Sequence, residues 1–210
     1  MDADTYFSAD EQEKIRQSIA AAESRTSGEI VPMIVGASDK YVDASITCLI
    51  VGLLLGSAAA LFWGDPWGLP RAELAWPLSG AALGLLIGQI PAVKRALTPK
   101  RRIDEAVHIR TLAAFTAHGL HYTQAHTGIL ILASLFERRV VVLADRGINE
   151  KVKPGTWDEI VAIITTGLKS GNGAAAFCAA IERCGEILAQ HFPRAPDDRN
   201  ELEDTLISEK

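Results

Sequence analysis

Positive charge is scarce in this sequence, and so is cysteine. Lysine and arginine total 21 against 26 aspartates and glutamates, for a net charge of −5. That balance excludes a general nucleic-acid binder, which carries a basic face or stripe. The three cysteines are Cys48, in an apolar run, and Cys178 and Cys184, six apart on an expected helix and therefore pointing in different directions. No disulfide framework is expected. Catalytic signatures are missing too. Ser134 lies in an apolar stretch rather than a Gly-x-Ser-x-Gly turn. Gly28 and Gly36 are isolated, so there is no phosphate-cradling glycine loop. Met1 to Glu13 is acidic and polar, unlike a secretory signal peptide.

Charge of either sign is absent from Ser45–Trp63 and from Leu74–Val93. Each run is close to the ~20 residues that cross a ~30 Å hydrocarbon core, so 45–63 and 74–93 are expected to be transmembrane helices. Gly64–Pro70 is the expected turn, and Trp63, Trp67 and Trp76 cluster there as interfacial aromatics do. Lys94, Arg95, Lys100, Arg101 and Arg102 follow the second run, whereas the turn region carries only Arg71 beside Asp65 and Glu73. The positive-inside rule then predicts a multi-pass protein of a bacterial inner (plasma) membrane with both termini cytoplasmic. Gly52, Gly56, Gly80, Gly84 and Gly88 form small-residue stripes suited to close packing within the hairpin. Neither run holds an ionisable group, which disfavours a pump or ion pathway.

The rest predicts an α/β domain. Ser8 and Glu11 form a capping box ahead of Ile15, Ile19 and Ala22 at helical spacing. Glu29–Val35 is a short buried strand in which Pro32 points to an edge or a bulge. After a basic linker, a long helix carries Ile103, Val107, Ala114, Ala117 and Leu120 on one broad face and ends near Tyr122. Ile129–Leu135 and Val140–Ala144 are strands joined by a turn at Glu137-Arg138, and two helices follow, the last with Phe177, Ile181, Cys184 and Leu188 in a stripe. Residues 193–210 are acidic and contain proline, and are expected to be a loose tail.

Three stretches resemble the TPM domain family: Thr26–Val35, Thr127–Ala133 and Arg138–Ile148. The resemblance covers both polar parts of the chain, so residues 1–35 and 101–191 are expected to form one discontinuous TPM-like α/β domain, a small sheet sandwiched by helices and interrupted by the two-helix transmembrane hairpin. Two departures stand out. The family's Gly-aromatic-Gly loop reads Asp145-Arg146-Gly147, and a hairpin is inserted after the first strand. Many relatives place the domain outside the cytoplasm, whereas the charge rule points inward here.

Asp145, Asn149 and Glu150 follow a strand end, where open α/β sheets bind ligands, and Asp158 and Glu159 lie near the next helix start. Oxygen donors in a loop suit calcium or magnesium, and the resemblance implies calcium and phosphatase activity. Ordinary capping chemistry is the competing explanation, since the spacing fits no EF-hand. His118, His121 and His126 are close in sequence, but no cysteine or carboxylate completes a zinc set. The expected function is a membrane-anchored adaptor or accessory factor in membrane-protein assembly, repair or regulation, its partners the lipid bilayer and an unidentified membrane protein. The alternative is a metal-dependent phosphatase of the TPM type.

Overall fold

The computed structural model describes residues 3–63, 74–123, 126–195 and 200–209. Its contacts divide the chain into two compact units, Met1–Ser38 with Asp104–Lys210, and Asp39–Ile103.

In the first unit, Ser8 and Glu11 close both halves of the capping box and start α1 (Ala9–Glu23). Ile15, Ile19 and Ala22 are its buried stripe. The chain turns at once into β1 (Glu29–Val35). Two further strands, β2 (Gly128–Ser134) and β3 (Arg139–Ala144), form an antiparallel hairpin in which Arg138 takes the left-handed conformation, φ 55°. β1 runs parallel to β2, from Glu29 opposite Gly128 to Val35 opposite Ser134. Parallel neighbours need a long crossover, and this one contains the whole of the second unit.

Alternation along the two central strands sorts their side chains onto two faces. Ile30, Ile34, Ile129, Ile131 and Ala133 face one core, shared with α1, α7 (Asp158–Ser170) and α8 (Gly173–His191). Val31, Met33, Val35, Leu130 and Leu132 face the other, with Val107, Ala114 and Leu120. Every residue of β1 and β2 is buried, which is why both read as nearly continuous apolar runs, Glu29 and Ser134 being the polar ends. The fold is thus the expected small sheet between helices.

The end of the long helix differs from expectation. α5 (Lys100–Ala117) stops before Gly119, whose φ of 72° suits glycine, and Leu120–Tyr122 continue as a 3-10 turn. The tail differs more. Instead of staying loose to the end, the chain returns as β4 (Ile207–Glu209), parallel to β1, giving the sheet order β3-β2-β1-β4 among the described residues. Leu202 and Ile207 pack on the second core, and Glu209 pairs with Arg110.

Pro32 fits its strand because of which side it faces. Glu29 donates its N–H to Thr127, toward β2, and Ile30 donates to Glu23 on the opposite side. Backbone groups alternate, so Pro32 presents its missing N–H on the side of Ile30. β4 begins pairing only at Met33 and requires no donor there.

In the second unit, α2 (Val42–Trp63) packs against α3 (Ala75–Ile87). The two run antiparallel, with Gly52 against Gly80, Gly56 against Trp76, and Gly88 against Ser45. A Cβ on Gly52 would collide with the Gly80 carbonyl, and one on Gly80 with the Gly52 carbonyl. This backbone approach is the reason for the glycine spacing. The expected continuous helix over 74–93 is broken. α3 ends at Ile87, and α4 (Pro91–Leu97) leaves it at 93°. Pro91 lacks an N–H, and its ring would clash with the carbonyl of Ile87 in a continuous helix, so it instead starts a new one. The turn at Gly64–Pro70, with Trp67 and Arg71, lies outside the described residues.

Candidate functional site

Asp145 follows β3 at the end of the sheet where β1 and β2 begin, so it lies at the amino ends of the parallel strands and not at the carboxyl ends where open α/β sheets bind ligands. Asp145 does not open an oxygen-lined loop. It caps a short helix, α6 (Arg146–Asn149), with Oδ1 accepting the Arg146 N–H at 2.7 Å. Its Oδ2 lies 3.1 Å from His126 Nδ1. Asn149 donates its side-chain N–H to the Ala144 carbonyl at 2.7 Å. Glu150 accepts from Arg146 Nε at 2.6 Å, an i,i+4 pair on the surface.

The three candidate ligands therefore turn to three separate partners. As arranged they do not converge into a cage for calcium or magnesium, which takes six or more oxygens around one point. Among the described residues no group of three or more His, Cys, Asp or Glu side chains gathers in that way. Asp158 and Glu159 lie in the first turn of α7, the favourable end for acids. The histidines are dispersed as well. His126 meets Asp145, His118 Nε2 is 3.3 Å from Glu209 Oε1, and the His121 ring lies against Tyr122 at 3.8 Å between centroids. The His118–Glu209 approach is close enough for an ion pair but is not aligned as a hydrogen bond.

Two polar clusters escaped the sequence reading. At the far end of the strands, buried Glu137 accepts the Ser38 N–H at 2.8 Å and a hydrogen bond from the Ser134 hydroxyl, while the Ser38 and Ser134 hydroxyls are 3.0 Å apart. This network ties the exit of β1 to the β2–β3 turn. A serine inside an otherwise apolar strand, three residues before a turn glutamate, was its only sequence signal. The second cluster joins α1 to the tail. Glu23 accepts the Ile30 N–H at 2.9 Å, and Glu29 accepts the Glu201 N–H at 3.1 Å. Burial pushes the Glu23 carboxyl up to about 9, with the Ile30 N–H opposing the shift and Glu29 and Asp204 adding to it. A protonated Glu23 removes its own repulsion with the carboxylates of Glu29 and Asp204. Nothing in the local sequence announces the arrangement.

Residues 96–187 match the family model described as TPM domain. This segment, under half of the chain, is similar to the TPM domain family. The match spans α5, the β2–β3 hairpin and most of α8. Among solved structures, the NMR structure of BA42 protein from the psychrophilic bacterium Bizionia argentinensis sp. nov. is similar at a TM-score of 0.61 and 21% identity, covering 96% of this chain and 94% of that one. That likeness is one of fold. No curated protein matches the chain. Within the matched segment Asp145 caps a helix and pairs with His126 at a strand end, and the sheet is completed by segments outside the matched range.

α2 is long and apolar enough to cross a membrane, and it keeps most of that surface exposed, unlike the core helix of a soluble protein. Leu54, Leu55, Leu61 and Phe62 are each more than half exposed. Among the described residues it alone passes by itself, and α3 with α4 would make a second span only if the bent pair is taken together.

Proposed function

We propose that this chain is a membrane-anchored TPM domain that serves as an adaptor or accessory factor, binding another membrane protein during its assembly, repair or regulation. The carrying observation is the exposed apolar helix α2 and its glycine-packed partner α3, placed within the β1–β2 crossover. Exposing so many large apolar side chains to water is costly, at roughly 25 cal/mol per Å², and a bilayer removes that cost. In this reading α2 and α3 form a hairpin in a bacterial inner membrane, with both termini in the cytoplasm. An anchor inside the domain's own crossover restrains the TPM domain near membrane proteins more tightly than a terminal tether would.

The test is copurification of the full chain in mild detergent after crosslinking in the membrane, with bound metals measured. The adaptor reading expects a membrane protein recovered in near-equal amount. Recovery of the chain alone would count against it.

A second reading, a metal-dependent phosphatase, has one observation in its favour. His126 and Asp145 are paired beside Arg146, whose side chain is 86% exposed. A cation there would help neutralise a transferring phosphoryl group. Calcium and magnesium titration of the wild type and Asp145→Ala, with turnover of a generic phosphomonoester, separates the readings. Metal binding and turnover that both require Asp145 would favour the phosphatase.

A further inference from the structure

The 93° break between α3 and α4 sets up a geometry that the anchor alone does not need. At the break, Ser45 near the start of α2 donates its hydroxyl to the Gly88 carbonyl at 3.1 Å. The chain therefore leaves α3 level with the first turns of α2. With α2 and α3 along a membrane normal, α4 runs along the membrane plane at the depth where α2 begins.

The residues on this stretch suit that depth. Ile90 and Leu97 are each 47% exposed, and Pro91, Ala92 and Ala96 are exposed beside them. Lys94 and Arg95 lie in α4, and Lys100, Arg101 and Arg102 follow, with no acidic residue from Pro91 to Ile103. Arg102 is engaged by Asp39 at 2.7 Å, and Lys94 reaches the Gln89 side chain at 3.4 Å. Lys100 and Arg101 are exposed. A short helix lying flat, with apolar side chains at one depth and long cationic chains able to extend to another, is how an interfacial segment meets lipid.

We propose that residues 90–102 form an interfacial strip that binds the phosphate headgroups of anionic phospholipids, with Lys94, Arg95, Lys100 and Arg101 as the contacting cations. The proposal rests on the membrane-anchored reading above. An overall net charge of −5 gives the rest of the chain no comparable attraction to an anionic surface, so the strip supplies it locally. An acidic protein segment would use the cations, but it would leave Ile90 and Leu97 in water.

The test uses the full chain, with its three cysteines replaced, reconstituted into vesicles of phosphatidylcholine alone or with phosphatidylglycerol added. Spin labels at Leu54→Cys and, separately, at Leu97→Cys report their depth by collision with a water-soluble nickel complex. The expected result is a Leu54 label shielded in both vesicles and a Leu97 label whose nickel accessibility falls several-fold when phosphatidylglycerol is present. Replacing Lys94, Arg95, Lys100 and Arg101 with glutamine should abolish that fall while the Leu54 label stays shielded. A Leu97 label equally open to nickel in both vesicles, with Leu54 shielded, would overturn the strip and leave the anchor standing. A fall that survives the fourfold replacement would also overturn it. A Leu54 label open to nickel would defeat both readings.

Discussion

The carboxyl of Glu23 accepts the backbone N–H of Ile30 at 2.9 Å, closing part of the β1 edge that β4 does not cover. Burial raises this carboxyl from 4.5 to about 9, so the folded state holds a proton that the unfolded chain gives up. A raised pKa means stability fully present below the unfolded value and lost as pH rises through the folded one. The detergent-solubilised protein should therefore lose stability progressively between about pH 4.5 and 9. Glu23→Gln keeps a neutral acceptor and should flatten that decline, gaining on the order of 1–3 kcal/mol over wild type at the alkaline end. Thermal unfolding followed by circular dichroism across this range is the check. Parallel curves for the two proteins would show that Glu23 does not carry the proton.

Phe177 is fully buried and meets Phe7 edge-on, 5.7 Å between centroids. Phe177→Ala should destabilise the α/β domain by about 3–5 kcal/mol through lost burial and the cavity left behind. Denaturant unfolding would show it, and a change under about 1 kcal/mol would mean the core collapses around the gap.

The central strands were legible because burial on both faces writes a nearly continuous apolar run, as in the Ile129–Ala133 part of β2. The first helix was legible because Ser8 and Glu11 are a local pair. β4 was not, because Ile207-Ser-Glu209 has no pattern of its own. Its place depends on β1 and on Arg110 and His118, about a hundred residues away in sequence. The break at Pro91 was hidden by composition, since the apolar run continues through it while the proline ends the helix geometry. At the candidate site, residue identity suggested an oxygen-rich loop, but Asp145 is consumed by a cap and Glu150 by Arg146. Partners from the next residue to His126, well upstream in the chain, decide this, and a list of ligand-type residues does not show them.

Thiol chemistry separates two cysteines of α8. Burial pushes the Cys184 thiol up to about 12, while Cys178 is part-exposed. A thiol-specific reagent on the native protein should modify Cys178 and spare Cys184 until the domain unfolds. Peptide mapping of the labelled sites reads the outcome. Equal labelling of both in the native state would place α8 wrongly against its core.

The proposed orientation, with both termini cytoplasmic, rests on the basic residues after Val93. Alkaline phosphatase fused after Lys210 should be inactive in bacterial cells, and green fluorescent protein at the same point should fluoresce. An active phosphatase fusion would place the C-terminus outside.

The central claim is that α2 and α3 anchor the α/β domain to a membrane, and alkaline carbonate extraction of membranes from cells expressing the full chain tests it most directly. The wild type should remain in the pellet, and replacing Leu53, Leu54 and Leu55 with arginine should release the chain, since each charge near the centre of a span costs about 2.5–3.5 kcal/mol. Wild-type protein extracted into the supernatant would contradict the account.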